Sequence, residues 1–178
     1  YPLWILQSVE NIRKDVKVLN YNLLMNEKYR NKVKKDYGLN FAKKYKRNIA
    51  ILKDVAEKNK KKKVYYSLTV SHLVLKEMKQ NLYATGLALK FSKSKLDNSQ
   101  LIKRNWETKF MKNYVIASSN ASKNKRININ YVLPLMQLAT FYKENKMNSE
   151  YVAIIQMINK IGKNAGKEKQ VNALVSKL

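Results

Sequence analysis

Residues 58–75 read KNKKKKVYYSLTVSHLVL, which joins five lysines to a nearly uncharged apolar run. The apolar part is rich in β-branched and aromatic residues, so a local strand is one interpretation. The spacing of Leu68, Leu75 and Leu89 continues at helical intervals, and this longer period favours a single helix. We therefore predict that a core helix occupies 64–89 and that the lysine run, Lys58 and the four lysines at 60–63, lies in the turn before it.

The rest of the chain also shows helical periodicity. Apolar residues recur every three or four positions over 5–23 and again over 41–55, with Gly38 between the two segments. Further helices are predicted at 102–114, 131–142, 149–161 and 171–178. Proline and glycine are too scarce for a fold with many tight turns. The predicted fold class is all-α, a single domain over 1–178 that forms a bundle of five to seven amphipathic helices.

Polar segments separate these helices. KSKLDNSQ, residues 93–100, is predicted to be a loop with Asp97, Asn98 or Ser99 as a helix cap. SSNASKNKRIN, residues 118–128, lacks periodicity and is predicted to be a mobile basic loop. Its Asn120 begins a glycosylation sequon, NAS, which a secretory pathway would recognise.

The charge is the most unusual property of the chain. Its 178 residues carry a formal net charge of +25, although 45% of them are hydrophobic. Such a charge favours a large anionic partner. The absence of cysteine excludes disulfides and thiolate metal sites. The longest uncharged run, 127–142, is too short to span a bilayer, so any membrane contact is expected to be peripheral. A first residue other than methionine fits a mature secreted chain or a trimmed one.

Catalytic patterns are missing from the sequence. The single histidine, His72, lies on the predicted apolar stripe and is expected to be a core residue. Asp54 and Glu57 are embedded among lysines, which favours exposed ion pairs over acid/base chemistry. Neither a nucleophile elbow nor a phosphate-binding glycine loop is present. We predict a protein that is not an enzyme, with no catalytic residue, no metal and no cofactor.

Basic residues form three blocks along the chain. If the first two helices are antiparallel about Gly38, the first two blocks converge there and the lysine run lies at the far end of the second helix. The candidate anionic-surface residues are Lys28, Arg30, Lys32, Lys34, Lys35, Lys43, Lys44, Lys46, Arg47, Lys58, Lys60, Lys61, Lys62 and Lys63.

Two kinds of anionic partner follow from the charge and the apolar faces. Nucleic acid is expected to bind as a non-specific polyanion, with tyrosines available for stacking. A membrane surface is the other, because lysine-rich amphipathic helices lie at the headgroup level. A candidate membrane anchor is Leu3, Trp4, Ile5 and Leu6. The same residues are equally consistent with the buried start of the first helix.

Two further stretches are KKKVYYSLTVSHLVLKEMKQNLYATGLAL, residues 61–89, and LATFYKENKMNSEYVAIIQMINKI, residues 138–161. They resemble the gastropod (abalone-type) sperm lysin family, including its fusion-promoting acrosomal paralogue. The first is similar to the central helix of lysin, and the second is similar to a late helix-turn-helix. The positions that carry the second similarity are Phe141, Tyr142, Lys143, Asn145, Lys146, Met147, Tyr151, Met157, Ile158 and Asn159.

The resemblance implies a secreted protein of the sperm acrosomal vesicle that acts in fertilisation without catalysis. It would bind an egg-coat glycoprotein and loosen the egg vitelline envelope, or bind the anionic egg membrane and promote membrane fusion, as a monomer or a homodimer. The greater length, the expanded 93–130 segment and the few tryptophans favour the fusion-promoting branch. The alternative function is a helical protein that binds nucleic acid without sequence specificity.

Overall fold

The computed structural model describes residues 5, 7–42, 44–70, 75–108 and 125–178. They fold as two compact units, the first from the described residues of 5–64 and 75–78 and the second from those of 65–70 and 79–178. The prediction of one domain over 1–178 stays a prediction.

The first unit contains α1 (Glu27–Tyr37), α2 (Asn48–Lys58) and a 3-10 helix (Asn22–Met25). Helix α1 begins at Asn26, whose side chain accepts a hydrogen bond from a backbone amide of the first turn, and ends at Gly38, which adopts a left-handed φ of 60°.

The core of the first unit consists of apolar side chains from both helices and from the segments beside them. Its buried centre and the side chains packed against it are Leu24, Ile51 and Val55, with Leu19, Tyr29, Phe41, Tyr45 and Val64.

The predicted helix over 5–23 is wrong. A helical hydrogen bond of 2.8 Å joins the Val9 amide to the Ile5 carbonyl, but Asn11 and Arg13 then adopt positive φ values of 55° and 51°. A left-handed L-residue interrupts a right-handed helix. The chain continues in turns to the 3-10 helix, and the apolar spacing there does not correspond to a buried helical stripe.

The second unit contains a sheet as well as helices. Its helices are α3 (Ser99–Glu107), α4 (Lys125–Asn128), α5 (Val132–Glu144), α6 (Asn148–Asn164) and α7 (Glu168–Val175), with a 3-10 helix at Ile129–Tyr131. Another 3-10 helix, Lys76–Asn81, runs from the first unit into the second.

The all-α prediction is overturned by a three-stranded antiparallel sheet. Its strands are β1 (Tyr65–Ser67), β2 (Leu82–Ala84) and β3 (Ala88–Phe91), in the order β1-β3-β2. Leu89 pairs with Tyr66 on one side and Ala84 on the other, and this row is buried. The protein is therefore mixed α and β, with helices as its main component.

The predicted helix over 64–89 fails for a local reason. Residues 85–87 form a tight loop in which the Thr85 amide donates to the Ala88 carbonyl at 2.9 Å. Gly86 in this loop has a φ of 119°, which joins β2 to β3 as a hairpin. The local strand, the alternative interpretation of the apolar run, is present over Tyr65–Ser67. The first of the two lysin-like stretches thus contains two strands and the start of a third where the resemblance implies a helix.

The helices predicted in the last third of the chain are confirmed. Pro134 lies in the first turn of α5, where its missing amide costs little. Residues 145–147 form the turn between α5 and α6, in which Lys146 has a φ of 58°. Gly162 allows close packing of α6 against α7, because a Cβ there would lie 2.7 Å from a methyl group of Val171.

The predicted loop at 93–100 is confirmed over 93–98, and residues 99–100 are the start of α3. The Asp97 carboxylate accepts the Ser99 amide at 3.0 Å, and this hydrogen bond lowers the pKa of Asp97. The end of the predicted 102–114 helix and residues 118–124 of the predicted mobile loop lie outside the described residues. The last four residues of that loop are helix α4 rather than loop.

Candidate anion-binding surface

The lysine run follows the end of α2, as predicted. Its lysines at 60–63 are all exposed. Lys58 differs from them because its Nζ lies 3.1 Å from the Asp54 carboxylate. The run therefore presents four cations on one short exposed segment.

The buried side chain of Asn59 fixes the backbone of this segment. Its Oδ1 accepts the Asn40 amide at 2.9 Å, and its Nδ2 donates to the carbonyls of Asn40 (3.1 Å) and Val55 (2.9 Å). The Lys62 amide then donates to the Asn59 carbonyl at 2.8 Å and closes a turn. Because of these bonds, the lysines project from a backbone with defined hydrogen bonding.

The same bonds correct the predicted position of the lysine run. Asn40 lies just after Gly38, so the end of α1 and the end of α2 are neighbours, and the run lies at the Gly38 end rather than at the far end. The two ends enclose a cleft of about 780 Å³. Its lining residues are Gly38, Asn40, Glu57, Lys58, Asn59, Lys60, Lys61 and Lys62.

Helix dipoles account for only part of this charge. Each helix end carries roughly half a negative elementary charge, so the ends of α1 and α2 together offset about one lysine. Glu57 offsets a second one. Asp54 offsets Lys58, so the four lysines that line the cleft leave an excess of about one positive charge. This excess is available to an anion.

Helix α1 adds a second set of cations. Lys28, Lys32 and Lys35 share one exposed face, because they are spaced at four and three residues. Lys34 is also exposed.

Arg30 is part of the predicted set but is a structural residue. It is 7% exposed, and its guanidinium donates to the carbonyls of Leu24 (2.8 Å) and Met25 (2.7 Å). It also lies 5.4 Å from the centre of the Tyr45 ring. Its charge satisfies the last carbonyls of the 3-10 helix and is not presented on the surface.

The middle basic block lies at the opposite end of α2. Lys44, Lys46 and Arg47 are exposed and precede the first turn, and Arg47 is 3.2 Å from Glu77. The 11 residues of α2 place this block roughly 16 Å from the lysine run. It is not brought together with the cleft, and Lys43 lies outside the described residues.

Asp54, a carboxylate considered for acid/base chemistry, has a structural role. It accepts the Ala42 amide at 2.8 Å and a very short hydrogen bond from the Tyr45 hydroxyl. Burial and this carboxylate raise the pKa of Tyr45 to about 12. The pair ties the segment before α2 to the middle of that helix.

The candidate membrane anchor is described only at Ile5, which is 60% exposed. Leu3, Trp4 and Leu6 lie outside the described residues, as does His72. In the described part of the chain, no group of three or more acidic or histidine side chains is placed to hold a metal ion. None of its helices combines the length and apolar character of a membrane span.

Sequence reasoning missed Asn59, Gly38 and Asn40 as parts of this surface. The signal for Asn59 was its position, a lone amide inside a run of lysines at a helix end. Amide side chains at such positions often bond to backbone groups that the helix leaves free.

A family model described as TMEM260-associated domain 2 matches residues 1–40, which include α1 and the segment before it. The matched region is less than a quarter of the chain. No curated protein matches the chain, and no solved structure does.

Proposed function

We propose that this protein is a non-enzymatic module that binds an extended anionic surface through the lysine run and the exposed lysines of α1. The observation that supports this most is the fixed backbone under four exposed cations. Preorganised cations lose less conformational entropy on binding than the same cations on a flexible segment.

The competing explanation is a polar face that interacts only with water. It accounts for a charged surface in general. It does not account for excess positive charge in a cleft where the dipoles of the two helix ends are already offset by about one cation. At physiological ionic strength the screening length is about 8 Å, so dense cations in near contact with the partner dominate binding. The lysine run has that density.

Heparin, a generic soluble polyanion, tests the proposal. We expect the variant Lys60→Gln, Lys61→Gln, Lys62→Gln, Lys63→Gln to elute from immobilised heparin at clearly lower salt than the unmodified chain. The matched control replaces four of the exposed lysines of the second unit: Lys160→Gln, Lys163→Gln, Lys167→Gln and Lys169→Gln. Both variants lose four charges. Equal elution shifts would mean that net charge alone drives binding, and the proposed surface would be abandoned.

The biological setting we propose for this binding is fertilisation, as the resemblance to the sperm lysin family implies. It is supported by the basic charge and by residues 138–161, which form the helix-turn-helix of α5 and α6. The anionic surface would then be an egg-coat glycoprotein or the egg membrane. The cellular location of the protein separates this setting from nucleic-acid binding. Detection of the protein in the sperm acrosome supports fertilisation, and detection in the nucleus would favour nucleic-acid binding instead.

A further inference from the structure

The first unit exposes an apolar ridge before α1. Four large aliphatic side chains within 12 residues are between two-fifths and two-thirds exposed: Ile5 (60%), Val9 (67%), Ile12 (49%) and Val16 (41%). Single exposed aliphatic residues are common, but a set of this density usually marks an interaction site.

Local hydrogen bonds give this ridge a defined shape. The Gln7 side-chain amide donates to the carbonyls of Arg13 (2.9 Å) and Val16 (2.7 Å). Asn11 and Arg13 adopt positive φ, which turns the chain between the two ends that Gln7 holds. The backbone is therefore ordered in a way that leaves the aliphatic side chains facing outward.

The rim of the ridge has a small net positive charge, because the exposed carboxylates of Glu10 and Asp15 offset two of its three basic side chains. The Arg13 guanidinium pairs with Asp15 at 2.8 Å, and this hydrogen bond lowers the pKa of the Asp15 carboxyl. Exposed Lys14 and Lys17 add positive charge, and the Lys17 ammonium lies 5.6 Å from the centre of the Tyr37 ring. Long basic side chains around an aliphatic patch match the boundary between lipid headgroups and acyl chains.

We propose that the apolar ridge inserts at the headgroup level of an anionic lipid bilayer. This inference rests on the proposed function and identifies its extended anionic surface as a membrane. Aliphatic side chains gain little from a nucleic-acid backbone, whereas a bilayer offers them apolar volume directly beneath its phosphates. The lysine run would supply electrostatic attraction and the ridge would supply insertion.

A single-site fluorescent label tests insertion directly, because the chain has no cysteine of its own. Val9→Cys and, as control, Lys169→Cys on α7 are labelled with NBD and mixed with phosphatidylcholine vesicles that contain phosphatidylglycerol. We expect a severalfold intensity increase and a blue shift at position 9 but not at 169. Co-sedimentation with the vesicles without any change at position 9 would overturn the proposal.

A double variant separates the two proposals. Val9→Ser with Ile12→Ser should weaken binding to the same vesicles by about tenfold, since two inserted side chains are lost, and leave heparin elution unchanged. The lysine-run variant should weaken both. Unchanged vesicle binding by the double variant overturns insertion, even where the heparin result supports the basic surface. Self-association in solution that the double variant abolishes would also overturn insertion and assign the ridge to a second copy of the chain.

Discussion

Arg30 shows how far residue type alone can mislead. It stands between Lys28 and Lys32 in the most basic part of α1, so composition places it on the surface. Helical spacing places it differently, because Arg30, Val33 and Tyr37 share the face opposite the exposed lysines. The burial of Arg30 was therefore predictable from periodicity. Its two carbonyl partners were not, because they lie in a 3-10 helix that the apolar pattern did not indicate.

Arg30→Gln should destabilise the protein. The change removes charged hydrogen bonds to one buried and one part-buried carbonyl, for which we expect a loss of about 2 kcal/mol in the free energy of unfolding. Lys32→Gln on the same helix removes an equal charge from an exposed position and should stay within about 0.5 kcal/mol of the unmodified chain. Urea unfolding measures both. Equal losses would show that the Arg30 hydrogen bonds contribute nothing specific.

At the level of secondary-structure elements, the sequence predicted those helices correctly that are long and have clearly marked ends. The helices α5, α6 and α7 have sustained apolar spacing, and the turns between them contain Asn145 and Gly166. The strands have only three or four residues each. Alternation of apolar and polar residues over so short a length is a weaker signal than the coincidental helical spacing of apolar residues that extends across the strands. Gly86 between two apolar runs was the neglected signal of a hairpin.

The candidate surface was predictable in part for the same reason. The lysine run was correctly placed after a helix, since the apolar stripe of α2 stops there. The residues that lie next to the run were not correctly predicted. Helix α2 begins at Asn48, and the segment 39–47 before it brings the end of α2 back to Gly38. This tertiary contact depends on the side-chain amide of Asn59. A contact made by a single side chain leaves no periodic pattern in the sequence.

Gly86→Ala tests the hairpin. A Cβ at this position would lie 3.7 Å from the Asn105 Nδ2, an ordinary contact, so its cost is conformational rather than steric. At a φ of 119° we expect a loss of about 1–3 kcal/mol. Hydrogen exchange at the β3 amides should accelerate accordingly. Leu87→Ala, an exposed change in the same loop, should leave those rates nearly unchanged. Similar acceleration in both would indicate a general effect of altering the loop.

At the scale of the whole molecule, charge and stability oppose each other. A net charge of +25 on 178 residues repels itself in the compact state more than in the unfolded chain. Exposed ion pairs such as Arg13–Asp15 and Arg47–Glu77 offset little of this, since pairs of this kind typically contribute less than about 1 kcal/mol. The protein carries this repulsion as a cost of the same charge that attracts a polyanion.

Sodium chloride should therefore move stability and binding in opposite directions. Screening of the repulsion should raise the Tm, and a gain of 1 kcal/mol corresponds to about 2–4 °C for a chain of this size. The same salt weakens binding to heparin, because the screened cations are those that contact the polyanion. The lysine-run variant, with four charges fewer, should show a higher Tm at low salt and a smaller rise. A Tm that falls with salt would mean that the exposed ion pairs outweigh the repulsion.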